Sequence, residues 1–561
     1  MTEARTDEQE SETLRRRIAE LESALATTTS KLESTTSKLE LTTAERDKLR
    51  RAYDRLSEEL ELLRRRIFVA KAERVDTTQL ELQFAAVKKE LEALGIQDDR
   101  NDDSEPEGDD KPPPRKPKGR RDLWKMQVIR EDRVELLDDD FEALVAAGRA
   151  EHLGFAESCR LSYLRGGAIR VVVARAKYKI VLSGEDTFTT VPRPKELLRR
   201  SLLAPAALAH ILIAKYAMGL PLYRIETWFK KDGLDLDRGA MSRWCEDAGA
   251  TLGIIVQAMA KDAMRATCLA TDATGVSIQP EPRADHARQP CKKGHFFVVM
   301  ADRDHVFFEF QPRHTSAAVC DMFRGYSGFI QADASAIYDA LYHGAAVASG
   351  TDPPTEVACW SHARRGFWET AICKEPLGLE ALFRIRAIFE REAKLDKLPP
   401  EKRHLRRQES VKPLVDNFFD WVRMHHATAK LSRSRFASAL GYAVRQEQAL
   451  RAFLDNGRLE MTNNRSEQAL RAIAAGRKAW LFFGSDDHAA AAANLFSLIA
   501  SCRLHDLDAE AYLRDVCRVL PWWPVERALE LAPKFWSATR ARLDPVALAR
   551  EVGPIAVPPA P

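Results

Sequence analysis

The chain has 561 residues, of which 45% are hydrophobic and 30% are charged. This composition is typical of a folded globular protein, and no stretch reaches the ~18 uninterrupted apolar residues of a membrane span. Since 86 basic residues nearly balance 83 acidic ones, the net charge is only +3. That balance excludes a protein that coats polyanions with its whole surface, although a local basic groove remains compatible with it. At ~150 residues per domain, the length predicts three to four domains.

The first residues, MTEARTDEQESETLRRR, are charged and lack the apolar core of a secretory signal, so we expect a cytoplasmic protein. Nine cysteines are scattered along the chain, and the closest two are fourteen residues apart. A structural zinc site usually takes two ligands from one tight turn, as in a CxxC pair. The cysteines are therefore expected to be small buried hydrophobes, and no zinc is expected.

Residues 1–97 carry a heptad pattern. Two series of mostly apolar residues at seven-residue steps are offset by four and three, namely Leu14, Leu21, Thr28, Thr35, Thr42, Leu49, Leu56, Leu63 and Ala70, and Ile18, Leu25, Leu32, Leu39, Arg46, Tyr53, Leu60 and Ile67. This is the a/d seam of a coiled coil, which self-associates because one helix cannot bury the stripe alone. The pattern predicts a homo-oligomer, with a single long solvated helix as the alternative.

Residues 98–121 interrupt this pattern with an acidic block, DDRNDDSEPEGDD, and a basic proline-rich one, KPPPRKPKGRR. Such blocks cannot form a core and predict an extended linker. Residues 122–200 predict a small mixed domain, since GGAIRVVVARAKYKIVL at 166–182 is typical of strands.

Residues 201–262 predict a helical region. After a helix that begins near Pro205, a helix over 222–231, a turn and a helix over 238–248 resemble a helix-turn-helix. Its second helix would suit a major groove, with Arg238, Ser242 and Arg243 as contacts. An ordinary helical hairpin fits the same pattern almost equally well.

Short strands separated by turns begin near residue 263: CLATDATGVSI, HFFVVMADRDHVFFEF, GFIQAD and TEVACW. The second of these turns at 302–304 and predicts a hairpin, and helical patterns follow the last two. A hairpin meander followed by alternating strands and helices indicates a mixed α/β sheet. Residues 376–455 and much of 455–518 read as helices.

Three acids are placed where their side chains can converge. Asp272 and Asp333 end two of the strands, and Glu467 lies early in a helix that begins at NNRSEQALR, with spacings of 61 and 134 residues. Carboxylates of this kind suit Mg²⁺ or Mn²⁺, and a pair of such ions can activate an in-line phosphoryl displacement. The alternatives are that Asp333 caps the next helix and that Glu467 forms a surface pair with Arg471.

The residues around these acids are distinctive. The blocks KYAMGLPLYRIETWF, GFIQADASAIYDALY, ACWSHARRGFWE, NNRSEQALRAIAAGRKAWLFFGS and LFSLIASCRLHDLDAEAYLRDVCRVLP follow one another between about residues 175 and 525. In this order they resemble the insertion sequence sixty-six family of bacterial transposases, which also carries a coiled coil before them.

The resemblance implies a DDE-type transposase with an RNase H-like catalytic core. The core would comprise residues 263–375 and 456–500, with a helical insertion at 376–455 and a C-terminal element at 501–561. The family's acidic triad would fall on Asp272, Asp333 and Glu467, which would be both the catalytic residues and the metal ligands. The expected activity is metal-dependent cleavage at element ends and strand transfer into target DNA.

Two features depart from the family. A cysteine-rich zinc element usually precedes the KY block, but residues 130–181 contain only Cys159, which implies a degenerate version without metal. The family commonly has a second acid before the threonine of the TDAT block, where this sequence has Ala273. The triad is retained and a neighbouring charge is lost.

Basic residues near these acids are candidates for DNA contacts. They are His362, Arg364, Arg365, Arg471, Arg477 and Lys478. The first three open the helix after ACW and would reach the scissile phosphate, with a structural role of His362 as the alternative. The last three would form a positive wall beside Glu467, with a charged helix surface as the alternative.

The sequence thus predicts a cytoplasmic, nucleoid-associated bacterial DNA transposase that binds element ends and target as double-stranded DNA. Companion proteins of the same element are possible partners. Two alternatives remain: a catalytically inactive, transposase-derived DNA-binding protein, and a coiled-coil scaffold whose C-terminal part mediates assembly.

Overall fold

A computed structural model describes residues 128–561, except 165–166, 183–184, 199–200, 282–288, 346–351, 374 and 430–433, together with Ser23, Thr28 and Thr29. The chain divides into two units, Met1–Pro113 and Pro114–Pro561. The three described residues of the first unit are helical and exposed. Apart from them, the coiled coil predicted over 1–97 and the linker over 98–121 lie outside the described residues.

The second unit begins with a four-stranded sheet built around one long strand. Its elements are β1 (Arg130–Leu136), α1 (Asp139–Ala146), β2 (Ala150–Leu164), β3 (Gly167–Leu182) and β4 (Glu185–Thr190). β3 is central, parallel to β1 and antiparallel to β2 and β4. Both faces of β3 are covered, because Val171 and Val173 pack into a small core and Val172 into the main one.

A helical region follows this sheet. It comprises α2 (Pro205–Leu212), a π-helical turn (Ile213–Ala217), α3 (Leu222–Lys231) and α4 (Arg238–Ala263). The Asp237 carboxylate accepts hydrogen bonds from the backbone N–H groups of Gly239 and Ala240, and so caps the N-terminus of α4.

The second sheet has five strands and three associated helices. They are β5 (Cys268–Ile278), β6 (Lys292–Ala301), β7 (His305–Gln311), α5 (Ser316–Met322), β8 (Phe329–Ala332), α6 (Asp339–Tyr342), β9 (Thr355–Ala358) and α7 (Trp360–Ile372). The order is β7-β6-β5-β8-β9. The first three strands pair antiparallel, whereas β8 and β9 are added parallel to β5. The predicted mixed α/β sheet is confirmed.

Helices form a second core beside β9 and α7. They are α8 (Pro376–Ala393), α9 (Pro400–Ser410), α10 (Lys412–Ala429), α11 (Arg435–Arg445) and α12 (Glu447–Arg451), followed by a 3₁₀ turn (Ala452–Leu454). Trp360 and Phe367 of α7 pack there against Phe418 and Phe419 of α10. The fully buried Arg407 donates to Glu392 and to three backbone carbonyls, those of Phe453, Asn456 and Leu459.

The chain then returns to the five-stranded sheet. The remaining elements are α13 (Asn464–Trp480), α14 (Asp486–Leu504), α15 (Ala509–Val519), 3₁₀ turns (Leu520–Trp522 and Val525–Leu531), α16 (Pro533–Arg540) and α17 (Pro545–Ala549). None of the helices in the described part of the chain combines the length and apolarity needed to cross a bilayer.

Helix α14 covers the free edge of the sheet. The N–H groups of Val306 and Phe308 on edge strand β7 donate to the hydroxyls of Ser501 and Ser497, at 3.0 and 2.8 Å. Both serines are buried, so two donors of the strand that β6 does not use are satisfied within the protein. This contact attaches the last part of the chain to the sheet formed by an earlier part.

Helices α4 and α14 approach each other closely through glycine. A Cβ atom at Gly249 would lie 2.3 Å from the carbonyl oxygen of Ala491, and one at Gly253 would lie 2.5 Å from Nδ2 of Asn494. That same Nδ2 donates to the Gly249 carbonyl at 3.0 Å. The two backbones therefore meet at a distance that leaves no room for side chains.

Two helices differ from those predicted from the sequence. α4 runs to Ala263 where the pattern predicted an end at residue 248, because its buried stripe continues through Leu252, Ile255 and Met259. The helix expected directly after GFIQAD is reduced to α6, since the chain makes turns between Asp333 and Tyr338 before it.

We expect Gly249→Ala to lower the melting temperature. Alanine favours a helix by about 1 kcal/mol relative to glycine, but the added methyl group would push α4 and α14 apart at a cost of about 1–3 kcal/mol or more. Thermal unfolding of the full chain measures the change. Gly275→Ala is the control, because nothing lies within 4 Å of its added Cβ; equal melting temperatures for both variants would contradict the close packing.

Candidate active site

Asp272 and Asp333 lie side by side on neighbouring parallel strands. The β5–β8 ladder pairs Ala270 with Gln331, and two residues further along each strand are Asp272 and Asp333. Because residues two apart on a strand point to the same face, both carboxylates project from one side of the sheet. Both acids were expected at strand ends. Asp333 directly follows β8, but Asp272 lies within β5, because pairing with β6 continues β5 to Ile278.

Glu467 reaches the same place through the segment that precedes α13. The Asn463 side chain donates from Nδ2 to the carbonyl of Thr271 at 2.8 Å, next to Asp272. Gln331 of β8 donates from Nε2 to the carbonyl of Glu460 at 2.8 Å. These two bonds hold the N-terminus of α13 against β5 and β8, so Glu467, in the first turn, faces the aspartates.

Asp272 is strongly affected by its surroundings. Burial raises the pKa of its carboxyl group from 3.8 to about 6, and the negative charges of Asp333 and Glu467 add to this rise. A hydrogen bond of 2.7 Å from the Ala273 N–H to Oδ1 opposes it. The three acids are thus close enough to repel one another, and a bound cation would relieve that repulsion.

The Glu467 carboxylate is available as a ligand. Its Oε1 is buried and has no hydrogen-bond partner among the described residues. The surface ion pair between Glu467 and Arg471, which the sequence left open, is not among the contacts of the described residues. Asp333 does not cap the next helix with its side chain either, since α6 begins six residues later behind Tyr338.

A cysteine and a histidine adjoin Glu467. One potential ligand atom from each of Cys359, His362 and Glu467 lies within 4.8 Å of the others. The backbone N–H of Asn463 donates to Cys359 Sγ at 3.2 Å. Burial opposes ionisation of this thiol, but His362 and the Asn463 N–H outweigh it and lower the Cys359 pKa. The contact with Cys359 in turn raises the pKa of His362, against the effect of burial.

His362 was a candidate from the sequence, whereas Cys359 was expected to be a small buried hydrophobe. Cys359 is indeed buried. Its spacing of three residues from His362 was the available signal, because residues three apart share one face of a helical turn. Nothing in the sequence indicated that Asn463 would connect both to the strand that carries Asp272.

The basic residues near the acids that were predicted to contact DNA differ in their exposure to solvent. Arg364, Arg365, Arg471 and Lys478 are exposed. Arg477 instead is partly buried and donates to the hydroxyl of Thr274 at 2.9 Å and to the carbonyl of Gly275 at 2.7 Å. Arg477 therefore attaches the far end of α13 to β5, whereas the other four face solvent.

Arg238 and Arg243 lie at the other end of α13. Both are exposed in the first turns of α4. Met241 and Cys245 of the same helix are buried. A groove of about 450 Å³ is lined by Arg238, Ser242, Trp480 and Phe482, among others. The structure therefore places the helix-turn-helix-like region beside the C-terminal end of α13, away from Glu467 at its N-terminal end.

A cavity of about 330 Å³ lies next to the acids but contains none of them. It is lined by Ala270, Gln331, Asn463 and Ser466, together with residues at the start of α9 and just before it, among them Leu398 and Arg403. Ala270 and Gln331 lie two residues before Asp272 and Asp333 along the chain. This cavity is thus separate from the acidic group, which is not enclosed in it.

Comparisons with known proteins agree on one family. The model described as "Transposase IS66 family" matches residues 200–491, and one described as "Transposase C of IS166 homeodomain" matches residues 55–126. The "Uncharacterized protein y4hP" of Sinorhizobium fredii (strain NBRC 101917 / NGR234) is 30% identical over 391 residues, 66% of this chain and 69% of its own. The "Uncharacterized protein y4qI" of the same strain is 26% identical over 375 residues, 65% and 68% of the two chains.

Replacing the Asp272 carboxylate is expected to stabilise the metal-free protein at neutral pH. Since burial raises the pKa from 3.8 to about 6, the folded state holds this proton more tightly than the unfolded state. Stability therefore falls as pH rises through that window, and the penalty is complete above about pH 6. Asp272→Asn should increase the free energy of unfolding at pH 8 by about 1–3 kcal/mol.

The measurement is denaturant unfolding without divalent cations at pH 8 and pH 5, where the gain should be about half as large. Asp339→Asn serves as the control, because Asp339 is exposed. A stability of Asp272→Asn equal to or below that of the parent protein at pH 8 would show that the carboxylate is not electrostatically penalised.

Proposed function

The chain belongs to the IS66 family of transposases, and from this premise we propose that it is a DNA transposase of the DDE type. It cleaves DNA at the ends of its insertion sequence and transfers the ends into target DNA. Asp272, Asp333 and Glu467 are the catalytic residues. The observation that carries this proposal is the convergence of the three carboxylates, which 195 residues of chain separate, on one side of one sheet.

The sheet topology supports an RNase H-like core for this activity. An antiparallel meander followed by two parallel strands, in the order β7-β6-β5-β8-β9, places Asp272 on the central strand and Asp333 beside it. The helical region of residues 376–455 enters after α7, and the chain then comes back to the sheet at α13. We accordingly assign residues 263–375 and 456–500 to the core and 376–455 to an insertion.

The side chains of this site fit a hard divalent cation. Three carboxylates lie together, the charges of two of them raise the pKa of the third, and one oxygen of Glu467 has no partner among the described residues. Oxygen ligands of this kind suit Mg²⁺ or Mn²⁺. When bound, such ions would stabilise the charge on the attacking and leaving oxygens of an in-line phosphoryl displacement.

The protein itself orients the ligands and the DNA. Asn463 positions Glu467 through its bond to Thr271, and Arg477 holds the other end of α13. Arg364 and Arg365 project from α7 into solvent two and three residues after His362. These two, with Arg471 and Lys478, would contact backbone phosphates and align the scissile bond with the acids, whereas sequence-specific contacts fall to other surfaces.

Residues farther from the acids complete the proposed interface. Arg238 and Arg243 are exposed at the start of α4 and would bind double-stranded DNA of the element ends. The heptads within residues 1–97 would join copies of the chain, which suits a reaction that brings two DNA ends together. Such an enzyme works on the bacterial nucleoid, together with companion proteins of its element.

Moving the Glu467 carboxylate by one position should abolish excision. A variant with Glu467→Gln and Gln468→Glu keeps the net charge but turns the carboxylate by about 100° around α13, toward the exposed side where Gln468 lies. We expect excision of the element in cells, with all its reading frames present, to fall more than about a hundredfold. Even residues that only orient metal ligands contribute about 10–100-fold.

Asp333→Asn should have the same effect while end binding in a gel-shift assay is retained. Asp339→Asn, an exposed aspartate six residues later, is the matched control and should excise normally. Excision by the Glu467/Gln468 variant would refute the assigned triad. End binding without excision by the parent protein would favour an inactive DNA-binding protein.

Loss of Arg364 and Arg365 should weaken DNA binding in a salt-dependent way. Each phosphate contact contributes about 0.9 to the slope of log K against log salt, so the double alanine variant should reduce that slope by roughly two for all sequences alike. The control removes two other exposed arginines, Arg324 and Arg406, which pair with Asp321 and Glu409. Equal slopes for both variants would exclude Arg364 and Arg365 from the interface.

A further inference from the structure

Glu467 belongs to a second group of potential ligands besides the aspartates. Cys359 ends the segment after β9, His362 lies in the first turn of α7, and Glu467 lies in the first turn of α13. Their ligand atoms all lie within 4.8 Å of one another. Metal–ligand bonds of ~2.0–2.3 Å place the ligand atoms around one ion closer together than 4.8 Å. Small side-chain rotations would bring the three atoms to such separations.

The cysteine sulfur accepts a hydrogen bond directly before the start of a helix. Its Sγ accepts the backbone N–H of Asn463 at 3.2 Å, and Cys359 is the residue that directly precedes helix α7. A thiolate is the form of cysteine that binds metals. Asn463 therefore has two partners, since its side chain binds Thr271 and its main chain binds Cys359.

The other two residues each have a buried polar atom without a partner. His362 Nδ1 and Glu467 Oε1 are both buried and have no hydrogen-bond partner among the described residues. Buried polar atoms without partners are costly and call for an explanation such as a bound ion. Sulfur, imidazole nitrogen and one carboxylate oxygen together are a ligand set for Zn²⁺ and similar cations, whereas Mg²⁺ takes oxygen ligands.

We propose that Cys359, His362 and Glu467 bind a thiophilic divalent cation such as Zn²⁺, at a site distinct from the Asp272 and Asp333 site but sharing Glu467 with it. Three protein ligands leave one position of a tetrahedral ion open. Zinc was not expected from the sequence because the chain lacks closely spaced cysteines. Here one helical turn supplies a cysteine and a histidine three residues apart.

A regulatory consequence follows, and it rests on the proposed function. Glu467 cannot serve both groups fully, so a bound Zn²⁺ draws this carboxylate away from the aspartates. Zn²⁺ should then inhibit DNA cleavage supported by Mg²⁺ or Mn²⁺. A chelator selective for Zn²⁺ over Mg²⁺ should restore DNA cleavage.

Cobalt spectroscopy on the full chain tests the site without depending on activity. Co²⁺ replaces Zn²⁺ in such sites and gives an intense sulfur-to-cobalt charge-transfer band when a thiolate is bound. We expect this band to saturate with a single ion per chain and to disappear on addition of Zn²⁺, which has a filled d shell. Cys359→Ser should abolish the band and lower the affinity for Co²⁺ more than about tenfold.

Cys291→Ser is the matched control, because Cys291 is exposed and distant in sequence from the group. It should leave the band unchanged, and Glu467→Gln should weaken Co²⁺ binding while the fold, followed by thermal unfolding, is kept. A band lost in Cys291→Ser, or absent from the parent protein, would overturn the proposal. A protein that shows the band but never cleaves DNA would retain this site and refute the proposed function instead.

Discussion

The site depends on how the segment before α13 is attached to the sheet. Arg407 is fully buried between helices and donates hydrogen bonds to the carbonyls of Phe453, Asn456 and Leu459. These bonds fix the backbone of the segment that leads to α13. Asn463 then binds the Thr271 carbonyl with its side chain and Cys359 Sγ with its N–H. These bonds hold Glu467 beside Asp272, although about eighty residues of mainly helical chain separate α7 from the segment before α13.

The same arrangement carries an electrostatic cost. Three carboxylates lie close together at a partly buried place on the sheet, and burial with mutual repulsion raises the Asp272 pKa to about 6. Nearby arginines do not neutralise them, since Arg477 is occupied by Thr274 and Gly275 and Arg471 is exposed. A group of acids that destabilises the fold is typical of a site that binds a cation, because stability is given up for function there.

Glu467 connects two kinds of chemistry. On one side it faces the aspartates, whose oxygens suit a hard cation, and on the other it faces Cys359 and His362, whose sulfur and nitrogen suit a softer one. Both sides meet at Asn463, which determines where the first turn of α13 lies. Under the proposed function, a cation that prefers one side would alter the geometry of the other, and Glu467 would couple metal identity to DNA cleavage.

Much of this protein is determined by its sequence. The ends of α3, the start of α4, the hairpin at residues 302–304 and the start of α13 at the paired asparagines agree with local patterns, because capping and turn residues act over short distances. The sequence pattern singled out the three acids, although Asp272 lies within β5 and not at its end as expected. What only the tertiary structure decided was the extension of α4 to Ala263, the role of Asn463 and the contact of Cys359 and His362 with Glu467. These depend on packing between segments about one hundred or more residues apart, which no local pattern records.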